Sequence, residues 1–297
     1  MAEGVIIKAI SGFYYVKTAD GLVECKARGK FRLDGTSPLV GDRVSLSLDS
    51  NGKGRIEKVE YRRNWFIRPA VANIDALVFI AANTNPVTDP FLIDRVSVIA
   101  SCADCELIVC INKCDIDPAD SLYETFTRAG FSVVRTSAAT KEGIDELHEL
   151  MRGKICAFTG NSGVGKSSIM NVLIPGANIP TAQVSEKLGR GKHTTRHVEL
   201  FDLGGGTYAA DTPGFASFEI EMMETIPKEQ LQYHFIEFSP YIGRCRFNNC
   251  AHLKEPGCAV REACVEGIIM PGRYRSYERL YELSAQHKFW ETKESKT

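Results

Sequence analysis

Residues 160–167 read GNSGVGKS, and few eight-residue stretches restrict a chain so much. Glycines at 160, 163 and 165 permit a tight turn in which successive backbone N–H groups converge, a geometry that suits phosphate oxygens. The apolar run ICAFT (155–159) precedes it as a buried strand, and SSIMNVLI (167–174) follows as a helix whose positive end faces the anion. Asn161, Ser162, Val164 and Ser168 complete the cradle, Lys166 neutralises the outer phosphates, and the Ser167 hydroxyl ligates magnesium. A functionless glycine-rich turn would not need both flanking elements.

The rest of the middle of the chain continues the alternation. Apolar strands are predicted at 74–83, 106–115 and 132–138, with helices at 89–103, near 120–130 and near 142–152, the last closed by Gly153. This is the pattern of an α/β domain built on a doubly wound parallel sheet. Ligands in such folds sit at the carboxyl ends of the strands, and chemically informative residues occur there. Asn112-Lys113-Cys114-Asp115 ends the second strand. A carboxylate at Asp115 accepts from the N1–H and the exocyclic amine of guanine, a donor pair that adenine lacks. Asn112 would brace the loop and the Lys113 stem would cover the base; the other reading is an Asp115 that caps a local turn. Thr136-Ser137-Ala138 ends the third strand, placing Ser137 and an Ala138 N–H near the guanine oxygen. Asp211-Thr212-Pro213-Gly214 follows the strand-like TYAA: Asp211 would hold magnesium through water, and the Gly214 N–H would sense a γ-phosphate. Between these motifs, GRGKHTTRH (189–197) offers Thr195, or its neighbour Thr194, to magnesium; an ordinary polar loop is the alternative. Lys166, Thr195, Asp211 and Gly214 are thus the candidate catalytic groups.

The flanks differ in composition. Residues 4–60 read as five short strands separated by turns such as Asp20-Gly21 and Asn51-Gly52, which predicts a small closed β-barrel of the OB-like or SH3-like kind. Residues 1–68 carry 13 Lys+Arg against 8 Asp+Glu, residues 69–225 carry 12 against 20, and residues 226–297 carry 11 against 9. Basic ends around an acidic middle fit RNA contact at the ends, and equally a solvated surface. From about 226 the chain is predicted mostly helical. Within CRFNNCAHLKEPGC, the residues Cys245, Cys250, His252 and Cys258 form a closed Cys3His set suited to one structural zinc, with Cys264 as a spare ligand and independent buried thiols as the alternative. Tyr274, Tyr277, Leu280, Tyr281 and Ser284 recur at helical spacing and are read as packing. With no signal peptide and no apolar run of about 18 residues, the expectation is a cytoplasmic protein without membrane contact, in three domains: 1–68, 69–225 and 226–297.

The order of the motifs carries the resemblance. NKCD at 112, TSA at 136, GNSGVGKS at 160, HTT at 193 and DTPG at 211 are those of Ras-like GTPases, but with the phosphate loop after the base-reading motifs. The sequence therefore looks like a circularly permuted GTPase, and with a barrel ahead and the Cys/His cluster behind it resembles the RsgA (YjeQ) family of ribosome small-subunit-dependent GTPases. That resemblance implies GTP/GDP with Mg2+, zinc at the cluster, and the small ribosomal subunit with its rRNA as partner. It also implies late maturation or checkpointing of that subunit by a monomer. Phe215 stands where Ras-like enzymes place a water-orienting glutamine, so slow intrinsic hydrolysis accelerated by the partner is expected, with His193 and His197 as candidate water-positioning groups. An RNA-binding module that uses nucleotide only as a conformational ligand is the rival; a nucleotide kinase or ATPase is disfavoured by Asp115.

Overall fold

A computed structural model describes residues 2–29, 31, 37–67, 69–179, 198–211 and 226–286. Strands β1 (Ala2–Ile10), β2 (Phe13–Thr18), β3 (Gly21–Ala27), β4 (Arg43–Leu48) and β5 (Gly54–Val59) pair in the order β1-β2-β3-β5-β4, and β4 closes back onto β1. Only β3 and β5 run parallel. The closed five-stranded order makes this the OB-like barrel rather than an SH3-like one. Its inward positions, Ile6, Val16, Cys25, Val44, Leu46 and Ile56, are the alternate residues of each strand and are buried.

The stretch 61–68, polar in sequence, is not a loose connection. It enters a hairpin of β6 (Trp65–Ile67) and β7 (Ala70–Ala72). Asn64 anchors it: buried, its Nδ2 donates to the carbonyls of Ile74 at 2.8 Å and Ala103 at 2.9 Å, while its Oδ1 accepts from the Ile74 N–H at 2.9 Å.

Beyond the hairpin come β8 (Ala76–Ala82), α1 (Pro90–Cys102), β9 (Glu106–Asn112), α2 (Asp120–Arg128), β10 (Ser132–Arg135), α3 (Ile144–Met151), β11 (Ile155–Thr159), α4 (Lys166–Leu173), β12 (Glu199–Gly204) and β13 (Thr207–Asp211). The sheet order β10-β9-β8-β11-β13-β12 is parallel except for its last pair, in which β12 runs antiparallel to β13. Strands β8 and β11 are buried on both faces. Their side chains alternate: Leu77, Phe79 and Ala81 face the apolar stripes of α1 and α2, and Val78, Ile80 and Phe158 face those of α3 and α4. Helix α1 starts as its sequence dictates, with Pro90 in the first turn and Asp89 Oδ1 accepting the Phe91 N–H at 3.0 Å. Strand β12 had no signal in the sequence reading. It is also the join to the barrel, since β1 pairs with it at Lys8 and Glu199, whose side chains form an ion pair at 2.9 Å.

Residues 226–286 hold two short 3-10 turns (Leu231–His234 and Ile236–Phe238), α5 (Ala259–Val265) and α6 (Pro271–Gln286). Tyr277, Leu280 and Ser284 of α6 are buried, so the aromatic stripe is packing, as its spacing predicts. Their core also takes in Phe91 and Val98 of α1. At that join lies Arg273, fully buried, donating to Asp94 Oδ1 of α1 at 2.7 Å and to both oxygens of Glu237 at 2.7 and 3.0 Å, with Phe235 stacked 4.7 Å from its guanidinium carbon. Burial opposes the charge, but the two carboxylates outweigh it and push the Arg273 pKa further up.

Cys25, Cys110 and Cys156 are buried inside strands, and burial pushes the thiols of Cys110 and Cys156 up to about 12. Cys102 is exposed at the end of α1. Cys105 is half-buried, with its Sγ 3.2 Å from the Ile74 carbonyl.

Replacing Arg273 with Met leaves two buried carboxylates side by side without a counter-charge. The expected outcome is a loss of about 3–5 kcal/mol, read as a lowered urea midpoint for unfolding of the C-terminal region.

Candidate functional site

The phosphate loop leaves β11 at Gly160 and enters α4 at Lys166. Two of its glycines are irreplaceable on steric grounds. Gly160 has φ +142°, and a Cβ there would lie 2.4 Å from the Ile80 carbonyl oxygen; at Gly165, φ +97°, it would lie 2.2 Å from Asn112 Nδ2. Val164 points into the core, so only its backbone serves the loop. Asn161, Ser167 and Ser168 are half-buried, and Ser162 and Gly163 are exposed. Lys166 Nζ sits 2.8 Å from Asp211 Oδ1, at the end of β13. That joins the start of α4, where Ser167 is the next residue, to the end of β13. A serine hydroxyl and an aspartate carboxylate are hard oxygen donors of the kind that suit Mg2+.

The base-reading segment is locked to this loop. Asn112, buried at the end of β9, donates from Nδ2 to the Val164 carbonyl at 2.9 Å and accepts the Ala138 N–H on Oδ1 at 3.1 Å. Lys113 Nζ donates to the Gly163 carbonyl at 2.8 Å and to the carbonyls of Thr84 and Asn85. Cys114 is half-buried; its N–H donates to the Thr136 carbonyl at 3.1 Å, and burial pushes its thiol up. Ser137 is buried, its Oγ accepting the Thr140 N–H at 3.1 Å, so the side chain braces its own turn. Asp115 is exposed, at the mouth of a cavity of ≈ 420 Å³ lined also by Asn112, Lys113, Ala138, Ser168, Thr84 and Asn85. The Ala138 N–H, expected to meet the guanine oxygen, is directed at Asn112 Oδ1. Thr84 and Asn85 were missed by sequence reasoning; the only hint was the Asn-Pro turn after β8.

The cysteine cluster is assembled as its composition suggests. One ligand atom from each of Cys245, Cys250, His252 and Cys258 lies within 4.8 Å of the others. His252 Nδ1 is 3.3 Å from Cys258 Sγ and 3.5 Å from Cys245 Sγ, and the two sulfurs are 3.9 Å apart. For bonds of about 2.3 Å at a tetrahedral centre, sulfur atoms should be about 3.8 Å apart, so the four groups fit a tetrahedral metal ion. Burial lowers the His252 pKa, while Nε2 lies 2.8 Å from Gln232 Oε1, a partner that leaves Nδ1 as the ligating nitrogen. From α6, Tyr274 OH donates to the His252 carbonyl at 2.6 Å and Tyr277 OH to the Ala251 carbonyl at 2.8 Å. Gln232 carried no sequence signal. Cys264 stands outside the set. Thr194, Thr195, Gly214, Phe215, His193 and His197 lie outside the described residues.

A phosphate loop, a guanine-type NKCD loop and the DTPG aspartate at the carboxyl ends of one sheet, in rotated chain order, define the class: a circularly permuted GTPase. Residues 59–221 match the RsgA GTPase family and residues 3–56 match the RsgA N-terminal domain. The chain belongs to the RsgA GTPase family. It is 45% identical over 278 residues to the small ribosomal subunit biogenesis GTPase RsgA of Caldanaerobacter subterraneus subsp. tengcongensis, covering 93% of each chain. The protein of the same name from Ruminiclostridium cellulolyticum is 43% identical, over 95% of this chain and 93% of that one. Among solved structures, YjeQ from Thermotoga maritima superposes with a TM-score of 0.82 at 34% identity, covering 97% of this chain and 99% of the other. YloQ, described as a circularly permuted GTPase, gives 0.79 at 32% identity over 96% of both chains.

Replacing Asn112 with Ala orphans the Val164 carbonyl and the Ala138 N–H together. GTP and GDP are both expected to bind about 10–100-fold more weakly, measured with a fluorescent nucleotide. At the cluster, burial pushes the Cys250 thiol up to about 12 and that of Cys258 in the same direction. Metal entry must therefore displace thiol protons, and competitive chelator titration should show affinity falling as the pH is lowered from about 8 to about 6.

Proposed function

We propose that this chain hydrolyses GTP on the small ribosomal subunit during its late maturation, and that hydrolysis accompanies its release. The observation that carries the nucleotide half is the pair of hydrogen bonds made by the Asn112 side chain, one donated to the Val164 carbonyl and one accepted from the Ala138 N–H, which tie the base-reading loops to the phosphate loop. The ribosomal half rests on family membership and on relatives named small ribosomal subunit biogenesis GTPases.

In this reading Asp115 accepts the N1–H and amine of guanine, and Lys113 and Ala138 line the base. Residues Gly160 to Ser168 wrap the phosphates with backbone N–H groups. Lys166 exchanges Asp211 for the β- and γ-phosphate oxygens when nucleotide enters, which frees the carboxylate for magnesium. Ser167, Asp211 and Thr195 would hold Mg2+, which when bound would supply charge neutralisation for the phosphates, and the Gly214 N–H would contact the γ-phosphate. Water then attacks the γ-phosphorus and GDP leaves. With Phe215 in place of a glutamine, orientation of that water depends on the partner.

The metal of the Cys3His cluster is zinc, because three thiolates and one imidazole with no open position suit a structural tetrahedral ion. The division is 1–68, 69–225 and 226–297, with the barrel and the zinc domain reaching rRNA. No helix among the described residues is long and apolar enough to cross a membrane; the protein works in the cytoplasm, as a monomer.

Turnover of GTP alone and with purified small subunits tests this. Strong stimulation is expected, and a flat response removes the ribosomal assignment. Asp115→Asn should weaken GTP use by several orders of magnitude and admit xanthosine triphosphate, since the substituted amide donates where guanine also donates.

A further inference from the structure

The hairpin between the barrel and the GTPase sheet leaves Trp65 and Ile67 exposed. From Tyr61 to Ile67 exposure alternates: Tyr61 is 89%, Trp65 60% and Ile67 72% exposed, whereas Asn64 and Phe66 are buried. Phe66 and its cross-strand partner Val71 are the buried side of the hairpin. On the other face Trp65 pairs with Ala72 and Ile67 with Ala70, so no large cross-strand side chain lies over the indole. Large apolar residues grouped on an open face mark a contact surface.

This surface is also rigid and polar-fringed. Asn64 fixes the strand through three bonds to residues of the GTPase region, and Asn73 accepts the Arg63 N–H at 3.0 Å and donates to the Gly41 carbonyl at 3.1 Å. Between the two aromatics stand Arg62, paired with Asp42 at 2.6 Å, and Arg63, paired with Asp75 at 3.0 Å. Both guanidinium groups are thereby fixed, each against a carboxylate. Trp65 and its strand β6 belong to the segment with 13 Lys+Arg against 8 Asp+Glu, next to one with 12 against 20. A polyanion is drawn to the first and repelled by the second.

Fixed aromatic faces in basic surroundings are how proteins hold unpaired nucleotides: every base has a π-face, so stacking needs no particular sequence. We infer that Trp65 is a stacking platform for single-stranded RNA, outside both the barrel and the nucleotide site. This rests on the reading that RNA is the partner, and it names which surface and which form of RNA. An apolar protein segment is the competing occupant, and side-chain chemistry separates the two: a protein segment needs area, whereas a base needs an aromatic ring.

The test uses the full chain. The sequence has two tryptophans, Trp65 and Trp290, so a Trp290→Phe background leaves Trp65 as the sole indole reporter. Titration with an unstructured oligouridylate of about ten nucleotides should quench its fluorescence in a salt-sensitive way. Trp65→Phe should retain small-subunit affinity within a few-fold, Trp65→Leu and Trp65→Ala should both lose about tenfold, and GTP turnover without subunits should not change. Equal affinity of the Phe, Leu and Ala variants, with wild-type subunit binding and stimulation intact, overturns the platform and leaves the ribosomal reading standing. Retention by Leu with loss in Ala replaces RNA by a protein partner. Quenching by the oligonucleotide in a protein that neither binds nor responds to small subunits keeps the platform and removes the ribosomal reading instead.

Discussion

One buried carboxamide sets the geometry of the nucleotide site. Asn112 ends the β9 strand with its donor on the phosphate loop at Val164 and its acceptor on the Ala138 N–H. Without it, the loops after β9, β10 and β11 would lose the side chain that joins all three at once. Lys113 repeats the device one residue later by reaching the Gly163 carbonyl. Gly165 must be glycine partly for the same reason, since a Cβ would strike the Asn112 amide. The residue types that look ligand-directed in sequence are thus half ligand-directed and half committed to each other.

A second constraint joins the regions. Helix α1 begins just after the Thr84-Asn85 carbonyls that receive Lys113, and its body carries Asp94, the acceptor of Arg273. On the same helix Ser101 Oγ lies 3.0 Å from His234 Nδ1, and Phe91 lies under the Arg279 guanidinium at 3.8 Å. The C-terminal region therefore rests on the element that leads out of the nucleotide pocket. At the other end the barrel is continuous with the sheet through β1 and β12, and β12 leads directly into β13 and Asp211. Rotating the order of the motifs places both attachments at strands and helices bordering the site.

Much of this was legible from the chain alone because the signals are local. Glycine spacing, an apolar run before it and a helical run after it specify a phosphate loop without long-range information. The same holds for the NKCD loop, the five barrel strands with their turn pairs, and the Cys3His set. What escaped had no local signature. Strand β12 is half-exposed, so its apolar pattern is weak, and the polar stretch 61–68 gives no local sign of its role, since Arg62, Arg63 and Asn64 serve partners 10 to 41 residues away. Arg273 looks like one more surface arginine of an amphipathic helix; its burial follows only from Asp94 and Glu237 arriving from elsewhere.

The sequence by itself determined the chemistry of the parts: which residues can cradle phosphate, read guanine or hold a soft metal, and in what chain order. Those properties follow from residue type at short spacing. The tertiary structure alone decided which of those groups face a ligand and which face one another. Ser137 and the Ala138 N–H turned inward, Lys166 met Asp211, and Trp65 was left outward opposite Ala72. Direction of this kind is set by the pleat, the sheet order and the packing of distant elements, and none of those is written within the few residues of a motif.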